Sequence, residues 1–111
     1  MNQEITVNNN KKNCPVTYTI QLIGGKWKPM IIGILMSGTK RFSELRKEIN
    51  LITEKMLTQQ LRELEKDGIF ERKIYAEVPP KVEYKLTSLR FSLKPILDSM
   101  LQWGLENMKG K

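Results

Sequence analysis

Histidine is absent from the sequence, and cysteine occurs once, at Cys14. Common zinc and non-haem iron sites, and Ser-His or Cys-His catalytic pairs, need histidine or several cysteines, so the sequence excludes them. A single cysteine also excludes a disulfide within the chain. Because no histidine is available to activate Cys14, an enzyme is the weakest interpretation, and no residue pattern indicates a cofactor or a metal.

Long apolar segments are missing as well. No run approaches the roughly 18–20 apolar residues that span a bilayer. Residues 1–13 are polar and lack the apolar stretch of a secretory signal. The composition therefore predicts a cytoplasmic protein with no membrane partner. Residues 1–13 are predicted to form a flexible N-terminal arm, since they bury too little apolar surface to offset ordering, and residues 14–111 form one domain.

Positive charge is in excess. The chain carries 19 Lys and Arg against 12 Asp and Glu, a formal net charge of +7. Without histidine this charge persists across the physiological pH range. A basic excess suggests a polyanionic partner, which is either nucleic acid or an anionic membrane surface.

The segment from Thr53 to Gly68 is predicted to be one helix with two faces of different chemistry. Thr53 suits the N-cap, and Gly68 suits the position just beyond the C-terminus. The apolar stripe consists of Leu57, Leu61 and Leu64. The opposite stripe consists of Lys55, Gln59, Arg62 and Lys66, which lie within about 40° of the side opposite the leucines at helical spacing. Ammonium, guanidinium and carboxamide groups bind phosphates and base edges in a DNA major groove, although an ordinary solvated helix face has a similar composition.

The rest of the chain surrounds this helix with a recognisable order of elements. Helices are predicted from Pro15 to Gly24 and over residues 26–36, and an extended link over 39–41. A short helix follows over 42–49, with Ser43 as its N-cap. Two antiparallel strands cover 69–75 and 82–86, joined by a loop stiffened by two prolines, and a helical region divided near Pro95 covers 88–108. The predicted fold class is mainly α with a small β-hairpin (α+β), a winged helix-turn-helix.

The chain closely resembles the HxlR-type family of bacterial winged-helix transcriptional regulators, relatives of the MarR group. The resemblance covers residues 14 to about 104 and is carried by many motifs in the same order. They include Cys14-Pro15-Val16, Gly24-Gly25-Lys26-Trp27, Arg41-Phe42-Ser43-Glu44-Leu45-Arg46, the segment 55–68, Pro79-Pro80-Lys81-Val82-Glu83-Tyr84, Leu86-Thr87, Ser92-Leu93-Lys94-Pro95 and Trp103-Gly104. One departure is visible: where the family commonly has glycine after Leu-Thr-x-x, this chain has Leu89-Arg90.

The resemblance implies a homodimer that binds operator DNA, more often as a repressor than as an activator. Each subunit would place the Thr53 helix in a major groove and the hairpin loop beside the adjacent minor groove. The first and last helices would form the dimer interface. A near-palindromic operator follows from the two-fold symmetry of such a dimer.

Nine residues are predicted to contact DNA. Lys55, Thr58, Gln59 and Arg62 are the candidates for contacts at or near base edges, and Thr53 adds a phosphate contact at the helix N-terminus. Arg41, Ser43, Arg46 and Lys81 are predicted phosphate contacts. For Arg46 the alternative is an ion pair within its own helix. Lys81 is expected at the tip of the proline-stiffened loop.

Cys14 has two interpretations. Its position at a helix start beside a lysine-bearing arm favours the thiolate and therefore reactivity towards oxidants or electrophiles. In the resembling family this cysteine serves some members as a redox or electrophile sensor. Sensing would then need pairing with Cys14 of a second subunit, a mixed disulfide with a small thiol, or an adduct. The alternative is an unreactive thiol packed at the dimer interface, and the effector stays unknown.

Other surfaces have simpler explanations. Trp27 and Trp103 are predicted to be core or interface anchors rather than a ligand site. The apolar surplus of the last region exceeds what one small core can bury, which indicates a dimer seam. A protein-binding winged helix is the competing function, but it would more often expose apolar groups where this chain has cations.

Overall fold

The computed structural model describes residues 14–108, apart from the side chain of Leu89. The predicted N-terminal arm, residues 1–13, lies outside this part of the chain. Five α-helices, three β-strands and one 3₁₀ helix follow one another in the described residues. The helices are α1 (Pro15–Ile23), α2 (Lys28–Met36), α3 (Phe42–Glu48), α4 (Glu54–Lys66) and α5 (Lys94–Asn107). The strands are β1 (Lys40–Arg41), β2 (Phe70–Tyr75) and β3 (Lys81–Leu86), and the 3₁₀ helix is Ser88–Leu93.

The helix-turn-helix consists of α3, α4 and the turn between them. Leu45 of α3 packs in one core with the three leucines of α4, and all four side chains are at most 3% exposed. Ile49 and Ile52 are buried in the turn and join the same cluster, which also includes Ile31, Ile32 and Leu35 of α2. Burial of both flanks and of the turn fixes the orientation of α4 on the domain.

Both ends of α4 are closed as the sequence predicts. The Thr53 hydroxyl oxygen accepts a hydrogen bond from the Met56 N–H at 3.0 Å. At the other end Gly68 has φ +75°, a conformation that favours glycine. The Gly68 N–H donates to the Glu65 carbonyl at 3.0 Å and the Ile69 N–H to the Leu64 carbonyl at 2.9 Å. This pair of hydrogen bonds ends the helix and directs the chain into the sheet.

The wing is a three-stranded antiparallel sheet in the order β1-β3-β2. The predicted hairpin is confirmed, with Phe70 opposite Leu86 and Tyr75 opposite Lys81. The predicted extended link is the third strand, because Lys40 and Arg41 pair with Tyr84 and Glu83. This pairing attaches the wing to the start of the helix-turn-helix.

Two details of the sequence-based description are wrong. Ser43 is not the N-cap of α3, because the extended backbone of β1 runs as far as Arg41 and the helix begins at Phe42. Glu44 closes this end instead, accepting a hydrogen bond from the Arg41 N–H at 2.8 Å. Lys81 does not lie at the loop tip. It is the first residue of β3 and pairs with Tyr75, so it lies at the base of the loop.

The last region is divided where Pro95 predicts. The 3₁₀ helix ends at Leu93, and Pro95 lies in the first turn of α5, where its missing N–H is tolerated. Arg90, at the departure from the family pattern, donates from Nε to the Gly68 carbonyl at 3.1 Å and so joins this segment to the end of α4. No residue of α5 is fully buried. Within residues 14–108 no helix is long and apolar enough to cross a bilayer.

Candidate DNA-binding surface

The outward face of α4 is accessible along its length. Lys55, Gln59 and Arg62 are exposed and Thr58 is half-buried. A shallow groove of about 650 Å³ follows this face. It is lined by Glu54, Lys55, Thr58, Gln59, Arg62 and Glu63. The structure therefore brings together the four residues that were predicted to contact DNA at or near base edges. Two acids that were not predicted at this surface, Glu54 and Glu63, line the same groove.

Glu63 is held by two neighbours. Its Oε1 lies 2.7 Å from Nζ of Lys28, and its Oε2 accepts a hydrogen bond from Gln59 Nε2 at 3.4 Å. These hydrogen bonds, first that of Lys28 and then that of Gln59, together with the charge of Lys28, lower the pKa of Glu63 below its usual value. The acid on the groove is thus paired with a cation from α2. Helical spacing alone gave no sign of this contact.

The residues predicted at the start of α3 lie at the surface. Arg41 and Ser43 are exposed. Arg46 does not form the pair within its own helix that was the alternative. Its Nε donates to the Ile52 carbonyl at 3.4 Å, and its Nη1 lies 4.0 Å from Glu54 Oε1. The guanidinium therefore spans the turn between α3 and α4.

Two wing residues face α4. Arg72 and Tyr84 line a cleft of about 330 Å³ together with Thr58 and Arg62 of α4. Arg72 Nε lies 3.5 Å from Oε2 of Glu65, and Tyr84 packs edge-on against Phe70 at 5.3 Å between ring centroids. Tyr84 was not predicted as part of this surface. Tyr84 pairs directly with Arg72 across β2 and β3, and this pairing places it on the same cleft.

Lys81 is held at the base of the wing loop. Its Nζ lies 3.5 Å from Glu83 Oε2 and 4.7 Å from the centroid of the Tyr75 ring. Residues 76–80, which form the loop itself, are exposed. Lys81 therefore places its charge beside the loop.

Cys14 is the N-cap residue of α1 and is half-buried. Hydrogen bonds from the side chain and the backbone of Thr17 lower the pKa of the Cys14 thiol below its usual value. Orphan N–H groups at a helix start stabilise a thiolate in this way. The thiol is thus partly exposed at the helix start, with its pKa lowered.

An apolar groove separates α1 from α5. Val16, Ile20, Ile96 and Met100 line it, and each is more than 40% exposed. Further along α5, Leu101 is 62% and Trp103 68% exposed. Large apolar side chains are therefore exposed on both α1 and α5, as is typical of an interaction surface.

A helix-turn-helix followed by a sheet that flanks a cationic outward helix defines the winged-helix class of DNA-binding proteins. The chain belongs to the HxlR-like helix-turn-helix family, whose model matches residues 22–111. It is 48% identical over 107 residues to the HTH-type transcriptional regulator YybR of Bacillus subtilis (strain 168), covering 96% of this chain and 86% of that protein. These similarities confirm the predicted family, fold class and DNA partner. They also confirm the prediction that the protein is a transcriptional regulator and not an enzyme.

Two solved structures are similar over most of their length. The redox regulator HypR in its oxidised form is 51% identical, with a TM-score of 0.80, and the match covers 85% of this chain and 97% of that one. The reduced form of the transcriptional regulator YodB from B. subtilis is 36% identical, with a TM-score of 0.75, covering 88% of this chain and 97% of that one.

Proposed function

We propose that this transcriptional regulator is a repressor that binds a near-palindromic operator as a homodimer, with one α4 helix in each of two major-groove segments. The observation that carries this function is the outward face of α4, where Lys55, Thr58, Gln59 and Arg62 line one accessible groove. Arginine recognises guanine and glutamine recognises adenine through paired hydrogen bonds in the major groove.

The remaining predicted residues hold the helix on the phosphate backbone. Arg41, Ser43 and Arg46 supply exposed donors around the start of α3, and the Thr53 hydroxyl adds one at the N-terminus of α4. Lys81, at the base of the wing loop, contacts the backbone beside the adjacent minor groove. If each subunit neutralises about four phosphates, the slope of log affinity against log salt is about −7.

The apolar surface on α1 and α5 supports the homodimer. Val16, Ile20, Met100 and Trp103 are all exposed in a single chain. Pairing of two copies along these helices removes this surface from water and repeats α4 across a two-fold axis. Two half-sites separated by one helical turn, or a multiple of it, follow from that symmetry.

The test is selection of binding sites from random double-stranded DNA, followed by affinity measurements over a salt series. We expect an inverted repeat, and we expect joint replacement of Gln59 and Arg62 by alanine to abolish preference for it. A selected pool without an inverted repeat, or a double variant that binds the repeat as tightly as the wild type, contradicts this function. Transcription from a promoter that carries the repeat should fall when the protein is added, whereas a rise identifies an activator.

We further propose that oxidation of Cys14 changes operator affinity. The half-buried thiol with its lowered pKa supports this role, as does similarity to a protein described as a redox regulator. An added thiol oxidant takes two electrons as Cys14 joins a second thiol, either Cys14 of the partner subunit or a small thiol. We expect the oxidant to change operator binding of the wild type and not of Cys14→Ser. Unchanged binding of the oxidised wild type assigns Cys14 to packing alone.

A further inference from the structure

The ion pair between Lys28 and Glu63 joins the start of α2 to the DNA-facing side of α4. The ammonium group lies 2.7 Å from the carboxylate, and the Lys28 side chain is only 12% exposed. A lysine on a protein surface usually keeps its charged end in water and moves freely. Packing of the Lys28 stem therefore holds its charge, and with it the carboxylate, in one place.

The carboxylate in turn restricts the side-chain amide of Gln59. Glu63 Oε2 accepts from Gln59 Nε2 at 3.4 Å while Oε1 faces Lys28. An ionised carboxylate only accepts hydrogen bonds, so the amide must turn its NH₂ group, not its carbonyl, towards Glu63. One N–H and the carbonyl oxygen of Gln59 remain for another partner. That donor and acceptor are the pair that adenine N7 and N6 require.

We propose that Lys28 and Glu63 are positioning residues that fix the amide of Gln59 for base recognition, an assignment that rests on the proposed entry of α4 into the major groove. Lys28 and Glu63 themselves contact no base. Lys28 has a second effect, since it neutralises a carboxylate that would otherwise face the DNA phosphates. Loss of Glu63 removes the hydrogen-bond partner of the amide, and loss of Lys28 lets the Glu63 carboxylate move away. In both cases the amide can rotate, and the base discrimination that Gln59 provides should fall.

The two positioning residues have opposite charges, so their replacement should change overall DNA affinity in opposite directions. Lys28→Met removes a cation and leaves Glu63 unpaired, so affinity for every DNA sequence should fall. Glu63→Ala removes an anion, so affinity for every sequence should rise. Both variants should nevertheless lose preference in the same direction, by about threefold or more, at the single base pair where Gln59→Ala loses it. A purely structural ion pair does not produce this combination.

Lys40 and Glu48 provide the matched control. Their charged atoms are 3.1 Å apart, and their side chains are 24% and 44% exposed. Lys40→Met and Glu48→Ala repeat the same charge changes at an ion pair that does not touch Gln59. They should shift overall affinity and leave the base preference unchanged. Lys28→Arg keeps both the charge and the hydrogen bond, and it should retain the wild-type preference.

The measurement is competition binding of wild-type and variant proteins to the selected operator and to its single-base-pair substitutions. The Lys28→Met/Glu63→Ala double variant should discriminate no worse than Glu63→Ala alone, because both changes release the same amide. Wild-type preference in both single variants overturns the positioning role while the proposed function stands. A wild type that selects no inverted repeat overturns the proposed function itself. Thermal unfolding of each variant confirms that the compared proteins are folded.

Discussion

The helices α4 and α5 have almost the same length, 13 and 14 residues, but they relate to the domain in opposite ways. α4 buries Leu57, Leu61 and Leu64 completely or nearly so and turns polar groups outward. α5 carries more apolar side chains than α4, yet none of them is fully buried. Of these, Leu97 is partly buried against the core. A polar helix is thus well anchored, and an apolar helix is left largely uncovered.

The outward faces of the two helices therefore differ in whether they need a partner to be stable in water. The outward face of α4 is stable in water and needs no partner to be folded, so its composition reflects what it binds. The outward face of α5 is costly in water, because burial of apolar area is worth roughly 25 cal/mol per Å². In the proposed function a second copy of the chain covers the face of α5, and DNA contacts the face of α4. Each of the following changes tests one side of this contrast.

The largest effect is expected from Leu57→Ala in α4. Leu57 is 0% exposed, so truncation leaves a cavity, and the free energy of unfolding should fall by about 2–5 kcal/mol. Chemical denaturation measures it. Leu101→Ala in α5 is the control, because Leu101 is 62% exposed and should cost far less at concentrations where the chain is monomeric. Equal losses for the two leucines would contradict the contrast between the helices.

The next effect concerns association. Trp103 is 68% exposed on α5, and Trp103→Glu should abolish the homodimer, since truncation of a central interface aromatic costs about 2 kcal/mol or more. Sedimentation should show half the wild-type mass, and operator affinity should fall at least tenfold, the equivalent of about 1.4 kcal/mol. Trp103→Phe keeps the apolar contact and should remain dimeric. A dimeric Trp103→Glu protein would exclude α5 from the interface.

A smaller effect is expected at the C-terminal end of α4. Gly68 has φ +75°, and an alanine there costs about 1–2 kcal/mol because Cβ meets the following carbonyl. Gly33, within α2, is exposed and has no atoms within 4 Å of an added Cβ. Gly33→Ala should therefore stabilise the protein by about 0.5–1 kcal/mol. Thermal unfolding of the two variants should show shifts of opposite sign, and equal shifts would remove the conformational explanation.

The parts that local chemistry decides were predictable from the sequence. The caps of α4, its leucine stripe and the division at Pro95 depend on residues within one or two helical turns of one another. Local residue patterns also gave the order of elements, and the family motifs agree with that order. The accessible stripe on α4 follows from the same periodicity, although which of its residues contacts a base stays a prediction.

The parts that the sequence did not reveal depend on contacts between distant segments. Pairing of β1 with β3 holds Arg41 in extended conformation, so α3 begins at Phe42 as predicted, but its N-cap residue is Arg41 and not Ser43. Arg46 found its partners in the turn and in α4, not in its own helix. Lys28 and Glu63 are 35 positions apart in the numbering, so no spacing rule connects them. Tertiary neighbours of this kind decide where charges on the surface are held.

The smallest effect compares the ion pairs that α4 and α5 make. Lys28 lowers the pKa of Glu63 in the folded state, so this pair stabilises the fold fully above the unfolded pKa and loses its contribution as pH falls through the folded value. Because the Glu63 side chain is 42% exposed, solvent screening limits the contribution to at most about 1 kcal/mol. The difference in unfolding free energy between wild type and Lys28→Met should therefore shrink between about pH 6 and pH 3.

Lys94→Met is the control for this prediction. It breaks the exposed Lys94–Asp98 pair of 2.8 Å on α5 and should change the free energy of unfolding by only about 0.3–0.5 kcal/mol. If Lys28→Met is no more costly at pH 6 than Lys94→Met, the packed stem of Lys28 adds nothing to its ion pair.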